Sequence, residues 1–434
     1  MLKILLMEII KYPKKEEYGQ IISRPHKDSA DLNSVVAQVL DDVRKEGDAA
    51  IYRYEEKFDK VCLSSLLVSN EEIQRAEQYL SQDLKDAIHL AHSNISSFHE
   101  AQIMQPVEVE TAPGVTCWQK PVAIERVGLY IPGGTAPLFS TVLMLATPAR
   151  IAGCSEIVLC SPPSNDGTIH PAILYSAKLA GVSHIFKCGG VQAIAAMAYG
   201  TETVPKVYKI FGPGNQYVTC AKQQVSMNDV AIDMPAGPSE VAIVADSTCH
   251  PHYVAADMLS QAEHGVDSQS ILFTDNIDVA NSVASEMEKQ LEQLSRKTMA
   301  EASLKHSRIV VLENMDEVFD ICNEYAPEHL ILAMDSALQY ADRVINAGSV
   351  FLGHYSCESA GDYASGTNHT LPTSGYAKAY SGVNLDSFMR KITFQHITPK
   401  GIESISDAVE TMALAEGLDA HCNAMTLRKK DLKL

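Results

Sequence analysis

The chain has 434 residues, of which 46% are apolar and 21% are charged. This balance is typical of a soluble globular protein, and the length predicts two or three domains. The formal net charge of −19 excludes bulk electrostatic attraction to nucleic acid or to an anionic membrane, so we expect neither as a partner. We expect a cytoplasmic protein, because the sequence has no signal-peptide cleavage pattern and no apolar run of membrane-spanning length.

The ten cysteines form no C-x-x-C pair and no small disulfide-type module. In a chain of this length they indicate free, mostly buried thiols in a reducing compartment. Cys117 or Cys154 could hold an aldehyde as a thiohemiacetal, but the buried structural thiol is the favoured interpretation for all ten.

In chain order, residues 1–27 form an N-terminal extension with little pattern. From Asp31 to about Ile103, apolar residues recur at three- and four-residue spacing, which predicts helices. Residues 107–127 alternate around Pro113-Gly114 and predict a β-hairpin.

From Val127 the pattern changes to short apolar strands, tight loops and helices, and it continues to about residue 355. Repeated strand–loop–helix units predict mainly parallel sheets, here two α/β sheets of similar size. Residues 357–381 are rich in Gly, Ser, Thr and Asn, which is typical of a binding loop. The last fifty or so residues are predicted to be a small appended element.

Three predicted strand-to-helix loops are rich in glycine, namely Pro132-Gly133-Gly134, Gly189-Gly190 and Gly212-Pro213-Gly214. Such loops let backbone N–H groups approach a phosphate at a helix N-terminus. They serve equally well to close tight turns, and no intact G-x-G-x-x-G motif follows a strand. The glycines alone therefore do not decide between a nucleotide-binding site and simple tight turns.

Several polar residues are candidates for chemistry. Gln261 and His264 are three apart on a predicted helix and would share one face. Glu328 and His329 are adjacent and offer an acid and a base with different ordinary pKa values. Each pair is also compatible with ordinary surface or loop residues.

Two further pairs lie nearer the C-terminus, Asp362 with His369 and Glu416 with His421. Together, Gln261, His264, Asp362 and His421 would offer two nitrogen and two oxygen donors, a set suited to Zn²⁺ or a similar divalent ion. Spacing alone does not establish that the four residues converge.

Eight segments occur together and in one order: ERVGLYIPGGTAPLFSTVLM, CGGVQAIAAMAYGT, KIFGPGNQYV, IDMPAGPSE, ADMLSQAEHG, YAPEHL, AGDYASGTNHTLPT and AEGLDAH. With these segments the chain resembles the histidinol dehydrogenase family. The resemblance covers nearly all of the sequence from about residue 28, and IDMPAGPSE and SQAEHG are its most specific motifs.

The resemblance implies roles for individual residues, all of which are of the expected type. Glu328 and His329 match the catalytic acid–base pair. The residues that match the metal ligands are Gln261, His264, Asp362 and His421. Those that match additional substrate contacts are Ser239, His369 and Glu416. Those that match the NAD contacts are Tyr130, Gln192 and Asn215. The metal ligands and His329 also belong to the implied substrate-binding set.

The implied reaction is the oxidation of L-histidinol to L-histidine through L-histidinal, with two NAD⁺ and one Zn²⁺ per subunit. His329 would be the base for alcohol oxidation, and Glu328 would activate water for the aldehyde step. The implied assembly is an intertwined homodimer in which His421 reaches the site of the other subunit.

The implied architecture is α/β, with two incomplete Rossmann-like parallel-sheet domains and small N- and C-terminal dimerisation extensions. The first domain would comprise residues 28–129 and 241–383 and carry the metal and acid–base residues. The second domain, 130–240, would carry the NAD-binding loops. The tail, 384–434, would contribute to the partner's site.

Two other hypotheses stay open on the sequence. A paralogous dehydrogenase on this scaffold could oxidise another polar alcohol, although His369 and Glu416 suit a cationic imidazole-bearing substrate. A non-catalytic metal- or nucleotide-binding protein is the third possibility, and the intact Glu328–His329 pair argues against it.

Overall fold

The structure, a computed structural model, describes residues 7–25, 30–133 and 136–433, without the side chains of residues 30 and 31. Gly134 of the first glycine-rich loop lies outside the described residues. The same holds for residues 1–6 and 26–27 of the predicted N-terminal extension.

The strands belong to two parallel sheets and one antiparallel sheet. In chain order they are β1 (Glu8–Lys11), β2 (Val107–Ala112), β3 (Val115–Ala123), β4 (Arg126–Tyr130), β5 (Glu156–Ser161), β6 (His184–Lys187), β7 (Lys209–Phe211), β8 (Ala231–Ile232), β9 (Glu240–Ala245), β10 (Gln269–Thr274), β11 (Arg308–Val311), β12 (His329–Ala333), β13 (Ser349–Leu352) and β14 (Met389–Ile397).

Most of the helices fall between these strands, as the sequence pattern predicts. They are α1 (Tyr18–Ile21), α2 (Ala30–Glu46), α3 (Asp48–Tyr54), α4 (Asn70–Ala76), α5 (Gln82–Glu100), α6 (Phe139–Ala152), α7 (Pro171–Leu179), α8 (Gly190–Tyr199), α9 (Gln216–Ser226), α10 (Pro251–Ala262), α11 (Ile277–Leu291), α12 (Lys297–Leu304), α13 (Met315–Tyr325), α14 (Ala337–Tyr340), α15 (Glu358–Tyr363), α16 (Pro399–Ala415) and α17 (Asp419–Asp431).

One parallel sheet has five strands in the order β6-β5-β4-β7-β8. Its strands are buried on both faces: Val127 and Leu129 face one hydrophobic core, and Tyr130 faces another. The chain starts in the middle of this sheet at β4, moves outward to β6 and then returns to β7. The cleft between the ends of β4 and β7 is therefore the point where the strand order reverses, which is where open α/β sheets bind ligands.

The other parallel sheet has six strands in the order β1-β11-β10-β9-β12-β13. Alternate residues again face opposite cores, as Ile243 and Val244 of β9 show. Two parallel sheets covered on both faces confirm the predicted α/β class. The N-terminal extension contributes β1, an edge strand of this sheet, so this part of it is built into the domain.

The structure departs from the predicted grouping of residues 28–129 with 241–383. Val36, Val39 and Ile51 of α2 and α3 lie in a core with residues of α8, and Ile88 and Ile95 of α5 lie in a core with residues of α6. Residues from about 30 to 100 therefore pack on the five-stranded sheet. β4 also belongs to that sheet, so its start precedes the predicted boundary at residue 130.

The predicted hairpin is β2 and β3, and the C-terminal segment adds β14 to it in antiparallel register from Met389↔Ala123 to Ile397↔Val115. This small sheet leads into α16 and α17, which pack on each other. The sequence pattern did not predict the pairing of β14.

The ten cysteines are free, and six of them are buried, as expected. Burial raises the pKa of the Cys154 thiol to about 12, which disfavours it as a nucleophile. In the part of the chain that the structure describes, no helix is long and apolar enough to cross a membrane.

Candidate active site

A cleft of about 820 Å³ lies between loops of the two parallel sheets. The five-stranded sheet contributes Gly212, Gly214 and Asn215, which follow β7. The side of the six-stranded sheet contributes, among others, Arg24, Ser239, Glu240, His264, Glu328 and His369. The cleft thus joins a candidate nucleotide loop to candidate acid–base residues.

Glu328 and His329 lie where β12 begins, and both are buried, with 6% and 4% exposure. The Glu240 N–H donates a hydrogen bond to Glu328 Oε2 over 3.0 Å, and His329 Nδ1 is 3.8 Å from that same oxygen. Burial, followed by the nearby His264 and His369, lowers the pKa of His329 to about 3, with a small opposing effect from the Glu240 backbone. Burial raises the pKa of Glu328 well above its usual range. The arrangement keeps the imidazole neutral, as a general base must be.

Gln261 is on α10, whereas His264 is not, so the prediction that one helix carries both residues is wrong. The helix ends at Ala262, and His264 follows in a turn in which its N–H donates to the Gln261 carbonyl. That turn keeps the two residues close along the chain. The Gln261 side chain is fully buried, and neither of its amide atoms has a hydrogen-bond partner.

Asp362 is on the short helix α15 and not in a loop, and one turn before it on that helix lies Glu358. Ligand atoms of His264, Glu358 and Asp362 lie within 4.8 Å of one another. Burial raises the pKa of Asp362 to about 6. The sequence analysis did not single out Glu358, because it predicted a loop here, and only the helix places Glu358 one turn before Asp362 on the same face.

His369 lies against the same carboxylate-bearing helix. Its Nδ1 is 2.9 Å from the Asp362 carbonyl oxygen, and its Nε2 is 3.2 Å from Thr141 Oγ1. Since the carbonyl can only accept, Nδ1 carries the proton and Nε2 accepts from the Thr141 hydroxyl. Burial lowers the pKa of His369 to about 4, so it is a neutral side chain in the cleft wall.

The candidate nucleotide contacts divide into two groups. Asn215 caps α9, with its side-chain oxygen accepting from Tyr217 N and Val218 N, and it is exposed to the cleft. Tyr130 and Gln192 are buried at the start of α8, where the Tyr130 hydroxyl accepts from the Gly190 N–H over 3.1 Å.

Glu55, which the sequence analysis did not single out, closes the Gln192 end of this region. Its Oε1 accepts from Gln192 Nε2 at 2.8 Å and from Gly189 N at 2.9 Å. Burial, opposed in part by these hydrogen bonds, raises the pKa of Glu55 to about 7. Gln192 is therefore held with its amide nitrogen on Glu55 and its amide oxygen unpartnered.

Gly212 shows why a glycine is required in the loop after β7. Its φ is +122°, and a Cβ at this position would lie 2.1 Å from the Tyr130 carbonyl oxygen. Both the backbone conformation and the close approach to β4 exclude a larger residue. The loop can therefore pass over the end of β4 and bring Asn215 to the cleft.

Glu416 and His421 lie on the C-terminal segment and do not line the cleft within a single chain. Both are exposed on the α16–α17 hairpin, and neither is among the described residues that line the cleft. Ser239, His264, His329, Asp362 and His369 by contrast lie in or directly behind the cleft wall.

The donor set fits a divalent cation. The Gln261 amide atoms and both Glu358 carboxylate oxygens are buried without hydrogen-bond partners, and His264 and Asp362 place a nitrogen and an oxygen close to Glu358. A buried carboxylate without a partner is costly unless it is protonated or faces a cation or donor. An imidazole, carboxylate and amide set of this kind is suited to zinc and related metals.

The fold and the site define an α/β protein with a buried acid–base pair and a candidate metal cluster. Across the cleft from them lie the glycine-rich loops of the five-stranded parallel sheet. Residues 22–429 match the family model for histidinol dehydrogenase. A histidinol dehydrogenase from Bacteroides thetaiotaomicron is 61% identical over 99% of this chain and 100% of its own length, and one from Shigella sonnei is 52% identical over 96% of each. The crystal structure of histidinol dehydrogenase from Elizabethkingia anophelis matches over 100% of both chains, with a TM-score of 0.98 and 52% identity. The chain belongs to the histidinol dehydrogenase family.

Proposed function

We propose that the chain oxidises L-histidinol to L-histidine through L-histidinal with two NAD⁺, as a cytoplasmic enzyme of histidine biosynthesis. Membership of the family supports the substrate. The observation that carries the chemistry is the buried Glu328–His329 pair, in which His329 Nε2 lies 3.6 Å from Asp362 Oδ1 of the candidate metal cluster.

In the first oxidation His329 takes the proton of the alcohol oxygen, while a hydride passes to NAD⁺ from the carbon that carries this oxygen. The low pKa of His329 supports this role, because the imidazole is unprotonated at neutral pH. The product is the aldehyde, L-histidinal, which stays in the cleft.

In the second oxidation water adds to the aldehyde, and Glu328 takes a proton from that water. Glu328 returns that proton to the former aldehyde oxygen, and the gem-diol then gives a hydride to a second NAD⁺ and releases two protons to solvent, which leaves the carboxylate. The hydrogen bond from the Glu240 N–H supports this role, because it favours the carboxylate form of Glu328, which can accept the proton. The hydrogen bond from Glu240 N holds the carboxylate in position.

We propose Gln261, His264, Asp362 and, from the other subunit of a homodimer, His421 as the residues that would hold one Zn²⁺ per subunit. Such an ion supplies a fixed positive charge and open coordination positions that orient the substrate's nitrogens. Ser239, His369 and Glu416 would contact the substrate, and Tyr130, Gln192 and Asn215 would contact NAD⁺. Exposure of Glu416 and His421 on the C-terminal hairpin supports their use in trans.

The test follows NADH absorbance after adding histidinol and NAD⁺ to the zinc-loaded protein, with His329→Asn as the matched inactive control. We expect two NADH per histidinol, loss of activity with a chelator and recovery with zinc. One NADH together with released aldehyde would contradict the two-step reaction. NAD⁺ binding without any turnover of histidinol would point to a different alcohol.

A further inference from the structure

Glu358 is a buried carboxylate that the proposed reaction leaves without a role. It is 1% exposed, and neither of its oxygens has a hydrogen-bond partner. Burial, followed by the nearby acidic groups Asp362, Glu328 and Asp257, raises its pKa. Its polar neighbours at short range include two imidazoles, His329 and His264.

The two imidazoles differ in what they can offer a carboxylate. His264 Nε2 is 3.9 Å from Glu358 Oε1, but His264 is a candidate metal ligand and needs a free lone pair for that role. His329 Nδ1 is 3.8 Å from the same oxygen, and His329 is not a candidate ligand. A proton on Nδ1 of His329 is therefore the donor that would satisfy Glu358.

The other acceptors around His329 support this assignment. Glu328 Oε2 is equally distant from Nδ1 at 3.8 Å, but it already accepts the Glu240 N–H. On the opposite side of the ring Nε2 is 3.6 Å from Asp362 Oδ1, a candidate metal ligand. A proton on Nε2 would point to a carboxylate needed for the metal and would leave Glu358 unsatisfied.

We propose that Glu358 is a positioning residue for His329: its carboxylate accepts the Nδ1–H of His329 and so fixes the tautomer in which Nε2 is the free base. The distances exceed a formed hydrogen bond, as catalytic pairs often do before a substrate is bound. A carboxylate behind a histidine plays this orienting part in serine-protease triads, where replacing it by an amide lowers kcat by about 10⁴-fold through the wrong tautomer. The inference rests on the proposed function, in which His329 is the base for alcohol oxidation.

The experiment compares Glu358→Gln and Glu358→Asp with Glu263→Gln, a matched control at a half-exposed glutamate that precedes His264. We measure kcat, both KM values and bound zinc, with circular dichroism to verify the fold. We expect Glu358→Gln to lower kcat by about 10²–10⁴-fold with KM values and zinc content near those of the parent, since the amide can donate to Nδ1 and reverse the tautomer. Glu358→Asp should recover part of the loss, and Glu263→Gln should change nothing.

A double-variant cycle separates positioning from an independent effect. If Glu358 acts through His329, the pair Glu358→Gln with His329→Asn will be no slower than His329→Asn alone, because residues that act as a unit give non-additive losses. The inference would be overturned if the loss of kcat in the double variant equalled the product of the two single losses. An unchanged kcat in Glu358→Gln would overturn it too. Loss of zinc in Glu358→Gln would overturn it as well and would make Glu358 a metal ligand.

A readout without turnover keeps this inference distinct from the proposed function. Nitrogen-15 NMR of histidine-labelled, zinc-loaded protein should show His329, assigned by its absence in His329→Asn, protonated on Nδ1 in the parent and not in Glu358→Gln. If the parent protein makes no NADH from histidinol, the proposed function fails, while this spectrum still decides the hydrogen bond. Protonation on Nε2 in the parent would refute it.

Discussion

Arg24 and Glu240 form a two-pronged ion pair at the wall of the cleft, with Arg24 Nε and Nη2 2.5 and 2.8 Å from the two carboxylate oxygens of Glu240. Nη2 also donates to the Tyr325 carbonyl oxygen over 2.6 Å. Because the backbone N–H of Glu240 holds Glu328, this pair fixes the N-terminal segment against the strand that orients the proposed catalytic carboxylate.

Replacing Arg24 by Met should destabilise the protein strongly. Glu240 is 2% exposed, so the change leaves a buried carboxylate without its partner, which costs about 3–5 kcal/mol. Urea unfolding measures the loss, with Lys15→Met as control. The Lys15–Asp320 pair is exposed to solvent, so its loss should change stability little. Equal effects of the two substitutions would show that the buried pair is not a structural requirement.

Glu55→Gln should stabilise the protein at pH 8 and not at pH 4.5. The pKa of Glu55 rises from 4.5 to about 7 in the fold, so the folded protein keeps this proton between those values while the unfolded chain loses it. Stability therefore falls as pH rises through that window, by about 3 kcal/mol in all, and the penalty is absent below it. Urea midpoints at the two pH values measure the effect, and Glu56→Gln, at an exposed neighbour, is the control. A gain that does not depend on pH would contradict the assignment.

The acid–base roles predict that two substitutions fail at different steps. Glu328→Gln should still convert histidinol to histidinal but should oxidise supplied histidinal about 10²–10⁴-fold more slowly, since it cannot take the proton of water. His329→Asn should lose a comparable factor on histidinol and less on histidinal. Single-turnover NADH formation with each substrate distinguishes the two steps, with zinc content as the check on the site. Identical profiles for both variants would reject the division of roles.

The proposed use of His421 in trans predicts complementation between two inactive variants. In a mixed dimer of His421→Ala and His329→Asn subunits, one of the two sites has both an intact His329 and an intact His421 from the other chain. Random mixing should therefore restore about a quarter of the parental activity. Refolding the two proteins together and separately, followed by the NADH assay, measures this recovery. If His421 served the site of its own chain, the mixture would stay as inactive as its components.

The sequence pattern predicted the two parallel sheets because strands such as β5 and β9 are short, mostly apolar and separated by helices, and this combination has few other solutions. The start of α4 is encoded just as locally, since Ser69 and Glu72 form a reciprocal capping box there. These are local signals, and each is contained within about ten residues.

The errors concern partners that lie far apart in the chain. An amphipathic stripe on α2 indicates that one face of the helix is buried, but not which sheet covers it. The prediction therefore groups residues 30–100 with the six-stranded sheet, whereas they pack on the five-stranded one. No feature of the sequence distinguishes Glu358 from exposed glutamates. Its burial beside His329 is a result of the fold around α15. The pairing of β14 with β3 likewise depends on register across more than two hundred residues.

The edge strand β1 has a consequence for the order in which the protein is made. Glu8 pairs with Arg308, 300 positions later, whereas the five-stranded sheet uses only residues 126–232. All strands of the five-stranded sheet are therefore synthesised well before the partner strand of β1. Until then β1 stays unpaired and exposed to solvent, together with the segment that carries Arg24. Joining of the earliest-made residues to β11 and Glu240 would be a late step of folding, so the cleft wall can take its final geometry only after β11 has been synthesised.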